Sequence, residues 1–376
     1  GETIRPSEER FESPLVGIGR EDRTRRGFRE GWKTPMAHGI DLIESESQLI
    51  ELMTRPSPSV VEAVGALDGD ILILGVGGKM GPTLAELMVR AGCTGEVIGV
   101  ARFSDRAVED YLQGVGVSTV RADLLEEGGL AKLPDAPNVL LLAGFKFGAT
   151  GNETMAWAMN TYLPLKVVER YQSSRIVYVS SGNVYAYTSV SGPGADEHGN
   201  LAPIGEYAQS RLGGERLAEF AAQRLGVRLL ISRLFYATEL RYGIIHDIAW
   251  KVWEGEPIDL AMGHVNQIWQ GDANSYLARS FPLCRSPTKV LNLTGRAVLS
   301  VRQMAERLGE ELGREPIFQG EESDTALLGE GSRLFDELGP AGTDIDEIIR
   351  WMANWTRSSG KSLGKPTKYD SRKGEF

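Results

Sequence analysis

Apolar residues along this chain recur in two alternating rhythms. Unbroken aliphatic runs, beginning with Ile71-Leu-Ile-Leu74, predict strands buried on both faces of a parallel sheet. Between the runs, apolar positions fall at intervals of three and four, the period of a helix with one buried face. After the first run, Leu84, Leu87, Met88 and Ala91 mark such a face, and Gly92 stands where the helix would stop. Pro82 is compatible with its first turn, whose amides lack helical partners anyway. Further strands are predicted over 96–104, 118–124, 138–144, 175–181 and 227–234. Helices separate them, the longest over 153–171 and 204–225. The alternation predicts an α/β fold, a doubly wound parallel sheet of Rossmann type, with a ligand crevice where strands one and four diverge.

Outside this core the rhythm loosens. Residues 1–36 are rich in Arg, Glu, Pro and Gly, without periodicity, and read as a surface arm or mobile segment. Two short amphipathic helices, 43–53 and 58–67, precede the first strand as a helical N-terminal extension. Beyond Phe235, a strand at 290–293 and helices at 300–312 and 344–355 predict a smaller C-terminal α+β substrate lobe, with Trp253 and Trp269 in its core. The lysine- and arginine-bearing stretch 358–376 reads as a solvated or subunit-binding tail, with an anion site as the lesser alternative. The expected divisions are thus 1–69, 70–234, 235–357 and 358–376.

Chemistry enters at the turn after the first strand, Gly75-Val-Gly-Gly78-Lys79-Met80-Gly81. The first glycine permits a tight turn, the second lets backbone amides approach a pyrophosphate, and the third lets helix pack closely on strand. Such a turn also arises for conformational reasons alone, but here the flanking strand and helix favour a dinucleotide cradle.

Composition narrows the partners. The chain has 376 residues, 41% of them hydrophobic, and a formal charge of −10, which argues against nucleic acid or an anionic membrane. No apolar run approaches the about 20 residues that span a bilayer. Two cysteines and four histidines, scattered, give no disulfide framework and no metal cluster; a cytoplasmic setting is expected.

Three more signatures stand in register with the turn. The fourth strand ends in Leu142-Ala143-Gly144-Phe145-Lys146, the fifth in Ser180-Ser181-Gly182-Asn183, and the helix after it carries Tyr207-Ala-Gln-Ser-Arg211. In this order the chain resembles the extended short-chain dehydrogenase/reductase family, near its NAD-dependent epimerase/dehydratase branch, over about 70–312. The resemblance implies a nicotinamide cofactor, with Ser181 orienting a substrate oxygen and Tyr207 exchanging the proton that accompanies hydride transfer. A tyrosine in water titrates near 10, so that work needs a neighbouring cation. The family places lysine one helical turn beyond the tyrosine; this chain has Arg211, which keeps the charge in a larger, flatter head. By the same resemblance Asp123 and Leu124 would flank the adenine. Ala143, Gly144 and Lys146 would line pyrophosphate and ribose, and Asn160 would support the site's backbone.

Cofactor choice turns on the end of the second strand. Where NAD-binding relatives carry an acid, this chain has Ala101, followed by Arg102 and Ser104, with Lys79 in the glycine turn. That charge pattern favours NADP, while nearby Asp105 keeps NAD open. The sixth strand continues as Arg233-Leu-Phe-Tyr236-Ala-Thr-Glu239, without the Asn and Gly-Pro usual in sugar-nucleotide members. Asn183, Tyr236, Glu239, Arg241, Tyr242 and His246 are candidate pocket residues, His246 equally a structural histidine. The expected activity is oxidoreduction or epimerisation at a hydroxyl/keto centre of a polar, sugar-like or natural-product small molecule by a homodimer. Loss of the lysine leaves open a nucleotide-binding scaffold with reduced turnover.

Overall fold

The computed structural model describes residues 39–40, 42–146 and 148–375. The reading of 1–36 lies outside them. Seven parallel strands form the main sheet: β1 (Ile71–Leu74), β2 (Val97–Ala101), β3 (Ser118–Arg121), β4 (Asn138–Leu141), β5 (Arg175–Ser181), β6 (Arg228–Leu234) and β7 (Lys289–Leu293). Their order is 7-6-5-4-1-2-3, so the chain reverses direction between β1 and β4. β1 pairs with β2 through Ile71–Val97 and with β4 through Ile71–Asn138. Every residue of β1 and β4 is buried, as their aliphatic runs predict.

Helices flank both faces. α1 (Glu46–Thr54) and α2 (Pro58–Gly65) form the N-terminal extension, each with a serine accepting the amide bond at its start. α3 (Gly81–Arg90) follows the glycine turn and α4 (Arg106–Gly114) follows β2. The predicted helix 153–171 is α5 (Glu153–Trp157), a π turn (Ala158–Tyr162) and α6 (Leu163–Arg170) in succession. α7 (Gly205–Leu225) ends on Gly226 in the left-handed conformation. The lobe that follows holds α8 (Ile244–Glu254), α9 (Gln270–Ala278), α10 (Val301–Leu312), α11 (Ser332–Leu338) and α12 (Ile345–Arg357).

Two expectations fail here. The strand at 290–293 does not belong to the small lobe. It is β7, hydrogen-bonded in parallel register to β6, with Val290 opposite Ile231. Nor is the C-terminal stretch a solvated tail. Tyr369 is buried, Thr367 gives both its amide and its hydroxyl to Asp247 Oδ2 at 2.7 and 2.6 Å, and Arg372 donates to the carbonyls of Thr325 and Ala261. This segment forms a strap along the lobe.

The core divides along the same line. One cluster joins α2, β1, α3 and α9 beneath the sheet. Another joins α1 to α8, α10 and α12, with Trp269 packed on Trp351 at 5.4 Å between ring centroids and Trp253 at its edge. The first cap helix therefore belongs to the lobe's core and the second to the sheet's.

Candidate active site

The glycine turn is built as its spacing predicts. Gly75 has φ +89°, a left-handed conformation, and a Cβ there would sit 2.6 Å from the Ala143 nitrogen. A Cβ at Gly81 would overlap the Val76 carbonyl, so only glycine lets α3 lie this close to β1. Gly78 differs: its nearest neighbour would be the Gly75 oxygen at 3.6 Å, leaving that side of the turn open to a ligand. No side chain caps α3, whose N-terminus faces the same space. This open glycine and uncapped helix start fit a dinucleotide's diphosphate, whose charge the helix dipole favours.

A cleft of about 950 Å³ extends from this turn across the carboxyl ends of β4 and β5. Of the predicted residues, Gly75, Gly78, Lys79, Met80, Gly81, Ser104, Gly144, Lys146, Ser181, Asn183, Tyr207, Arg211 and Tyr236 line it. Ser181 Oγ donates to Asn183 Oδ1 at 3.0 Å and accepts the Asn183 amide at 3.1 Å. Strand β5 and the turn after it therefore fix a hydroxyl at the cleft floor.

Asn160 lies beneath the floor, fully buried at the π turn. Its side-chain amide donates to the Phe145 carbonyl at 2.9 Å and accepts the Phe145 amide at 2.8 Å. A π turn widens the helix locally, which aims this one residue at the end of β4. Asn160 also donates to Ser210 Oγ at 3.0 Å, tying the helix of Tyr207 to the same strand end.

Arg211 is spent largely on backbone. Its guanidinium donates to the Val179 carbonyl and, at 3.5 Å, to Asn160 Oδ1, and lies so close to Gly144 that a Cβ there would be 2.8 Å from it. The cation set near two phenol rings comes instead from the loop after β4: Lys146 Nζ is 5.6 Å from the Tyr207 ring centroid and 5.4 Å from that of Tyr236. Burial pulls the Lys146 ammonium down to about 8, with Asp247 opposing. Lys79 Nζ stands 3.3 Å over the Tyr242 ring. Burial, then the charges of Lys146 and Lys365, bring it to about 6. Burial pushes the phenols of Tyr236 and Tyr242 up.

Besides Asn160, six predicted residues do not reach the cleft. Arg102 is exposed outside it, and Asp123 is exposed, its carboxylate accepting the Leu125 amide at 3.0 Å. Leu124 packs with Leu72 and Leu74 in the core on the sheet's other face, and Ala143 is buried with its backbone against Gly75. Glu239, 1% exposed, is the ion partner of Arg241 at 2.9 Å, with burial raising its carboxyl. His246 is buried beside Asp247 and Trp250, outside the cleft. Arg233 likewise serves structure, bonded to Glu215 at 2.7 Å and to the Tyr185 hydroxyl at 2.7 Å.

Sequence reasoning missed a whole wall of the cleft. Glu46 of α1 and Lys361, Leu363, Lys365 and Thr367 of the strap line it, beside the anticipated Asp105, Arg241 and Tyr242. Arg241 bridges Glu46 at 2.6 Å, and Lys361 reaches the same carboxylate at 3.1 Å. The lysines of the tail were the available signal, but no local pattern says where a non-periodic segment will pack.

Sheet order and glycine turn together define a Rossmann-type fold. Residues 71–238 match the model of the NAD dependent epimerase/dehydratase family. Among solved structures it is similar to UDP-glucuronic acid 4-epimerase from Bacillus cereus in complex with NAD (16% identity, 77% of this chain and 96% of that one, TM-score 0.65). It is also similar to dTDP-glucose 4,6-dehydratase from Bacillus anthracis in complex with NAD (15%, 77% and 96%, 0.63). A third is UDP-glucose 4-epimerase from Thermotoga maritima with UDP-glucose (17%, 77% and 99%, 0.62). At these identities the likeness shows the fold. No curated protein sequence matches the chain significantly. No described helix is long and apolar enough to cross a membrane.

Proposed function

We propose that this protein is a nicotinamide-dinucleotide oxidoreductase or epimerase acting on a hydroxyl/keto centre of a polar, sugar-like small molecule. One observation carries the reading: the glycine cradle, Ser181 and Tyr207 line a single continuous cleft at the β1/β4 switch. When bound, the nicotinamide ring supplies the hydride chemistry. Ser181 orients the substrate oxygen, exchanging its bond to Asn183 for one to the substrate. Tyr207 gives or takes the accompanying proton, with the Lys146 ammonium and Arg211 as nearby positive charges.

Of the NADP supports, Ser104 lines the cleft and Arg102 does not, whereas Asp105 does. A carboxylate at that mouth repels a 2′-phosphate, so we assign NAD ahead of NADP. The homodimer has support in Met155, Trp157 and Tyr162 of residues 153–162 and Phe220 of α7, all exposed. A reducing cytosol suits two free cysteines.

The test joins binding to turnover. NADH should quench tryptophan fluorescence in parent and Tyr207→Phe alike. Oxidation of a responsive polyol or sugar, or its epimerisation, should fall at least about 100-fold in the variant. The commitment of Arg211 to the Val179 carbonyl favours a second reading, a scaffold that binds nucleotide without turnover. Dinucleotide binding with no substrate-dependent activity across the screen would decide for that scaffold.

A further inference from the structure

Two cations meet at the cleft floor, Arg211 and Lys146, and the fold treats them in opposite ways. Arg211 is braced. Its guanidinium donates to the Val179 carbonyl of β5 and, at 3.5 Å, to Asn160 Oδ1, the oxygen that also accepts the Phe145 amide. Its head lies 5.2 Å from the Tyr178 ring centroid, in the room that Gly144 leaves by having no side chain. One head group thus joins the ends of β4 and β5. Burial opposes its charge, but Tyr178, Tyr207 and Glu215 outweigh burial, and the guanidinium holds its proton more firmly than an ordinary arginine.

Lys146 has the reverse balance. Burial pulls it down to about 8, and Asp247 of α8 opposes only part of that. Lys79 of the glycine turn and Lys146 also oppose each other's charge. A cation that the fold holds at a cost is placed for what it does, not for what it stabilises. Its place says what that is. Lys146 Nζ stands 5.6 Å from the Tyr207 ring centroid and 5.4 Å from that of Tyr236, and all three residues line the cleft. Burial pushes the Tyr236 phenol up, so that ring is a neutral neighbour of the ammonium. Tyr242, whose ring lies under Lys79 Nζ at 3.3 Å, is pushed up as well. An opposite charge within about 4–6 Å favours the ionised form of a titratable group, and more strongly where water is excluded.

We propose that Lys146 is the positioning residue for the Tyr207 proton, its ammonium favouring the phenolate, while Arg211 braces the strand ends that lead to Lys146 and carry Ser181. The use made of that proton rests on the oxidoreductase reading; the pairing of ammonium and phenol does not. Lys146 is charged below about 8, so its support is present at neutral pH and fades above.

The test uses the full chain labelled with 3-fluorotyrosine, whose phenol is more acidic than that of tyrosine. Fluorine resonances are followed by NMR from pH 6 to 10, and the one lost in Tyr207→Phe is that of Tyr207. Lys146→Met should raise the Tyr207 midpoint by about one unit or more, and Lys146→Arg should restore most of the difference. Arg211→Met should move it less and melt lower instead. Arg211→Lys, which keeps the charge without the forked head, should also melt lower than the parent. Lys146→Met removes a charge that burial opposes and should melt no lower than the parent. A midpoint unmoved by Lys146→Met, or moved further by Arg211→Met, would overturn the assignment. So would a Tyr207 resonance that never shifts across the range. NADH dissociation constants for the same variants, by tryptophan quenching, separate the two readings. Weaker NADH binding in Lys146→Met with an unmoved midpoint makes Lys146 a cofactor ligand and overturns the pairing. A midpoint raised by Lys146→Met, in a protein whose parent form binds no NADH, keeps the pairing and overturns the dinucleotide reading.

Discussion

The floor and the roof of the cleft are made in opposite ways. The glycine-turn part of the floor is one continuous segment, β1, the turn and α3, in which each residue's job follows from its neighbours in sequence. The roof joins Glu46, Arg241, Lys361 and Lys365, drawn from α1, the loop before α8 and the strap, with the bonded pair Glu46 and Lys361 separated by 315 residues. Local sterics hold the floor, whereas hydrogen bonds and ion pairs between distant segments hold the roof. The floor should therefore fail all at once when crowded, and the roof should fail by increments.

Gly81→Val gives the largest expected effect. Its side chain would overlap the Val76 carbonyl, so a loss of about 3 kcal/mol or more is expected by urea denaturation, with NADH binding lost as well. Stability within about 0.5 kcal/mol of the parent would show that the floor has slack its geometry denies. Thr367→Val, at the roof, should cost about 1–2 kcal/mol by removing one of two bonds to Asp247 while the backbone bond remains.

Gly78→Val separates binding from folding on the floor itself. With no neighbour nearer than 3.6 Å it should leave the melting temperature close to that of the parent. Filling the ligand side of the turn should weaken NADH about tenfold, near 1.4 kcal/mol.

The smallest effect links floor to roof through pH. Lys79 is brought to about 6 in the fold, below its ordinary 10.5. Between those values the unfolded chain binds the extra proton, so this group makes stability rise with pH across that window. Lys79→Met removes that slope. Urea midpoints at pH 6, 7.5 and 9 should show the variant's advantage greatest near 6 and shrinking upward; a constant difference would contradict the desolvation of Lys79 by burial in the cleft.

The parts legible in the sequence were those where neighbouring residues decide the outcome. Ile71–Leu74, the glycine spacing and the face of Leu84, Leu87 and Met88 placed β1, the turn and α3 to within a residue or two. Asn160 and Tyr207 were reached only through the family resemblance, and the π turn that aims Asn160 has no local signal. Lys289–Leu293 was misplaced because a strand's apolar pattern states that it will pair, not with which neighbour. Glu239 and Arg102 looked alike as candidates, yet one is locked to Arg241 and the other lies in solvent.

Sequence alone determined the alternation of strand and helix, the glycine turn that joins β1 to α3 and the chemical types set along the carboxyl edge of the sheet. Each depends on interactions across a few residues, whose energies the local order of side chains fixes. Tertiary structure alone decided that Arg211 is spent on a carbonyl, that Lys146 stands near two phenols and that the last residues roof the cleft. Those outcomes depend on which distant groups share one low-dielectric space, and burial, rather than residue type, sets what a charge can do there.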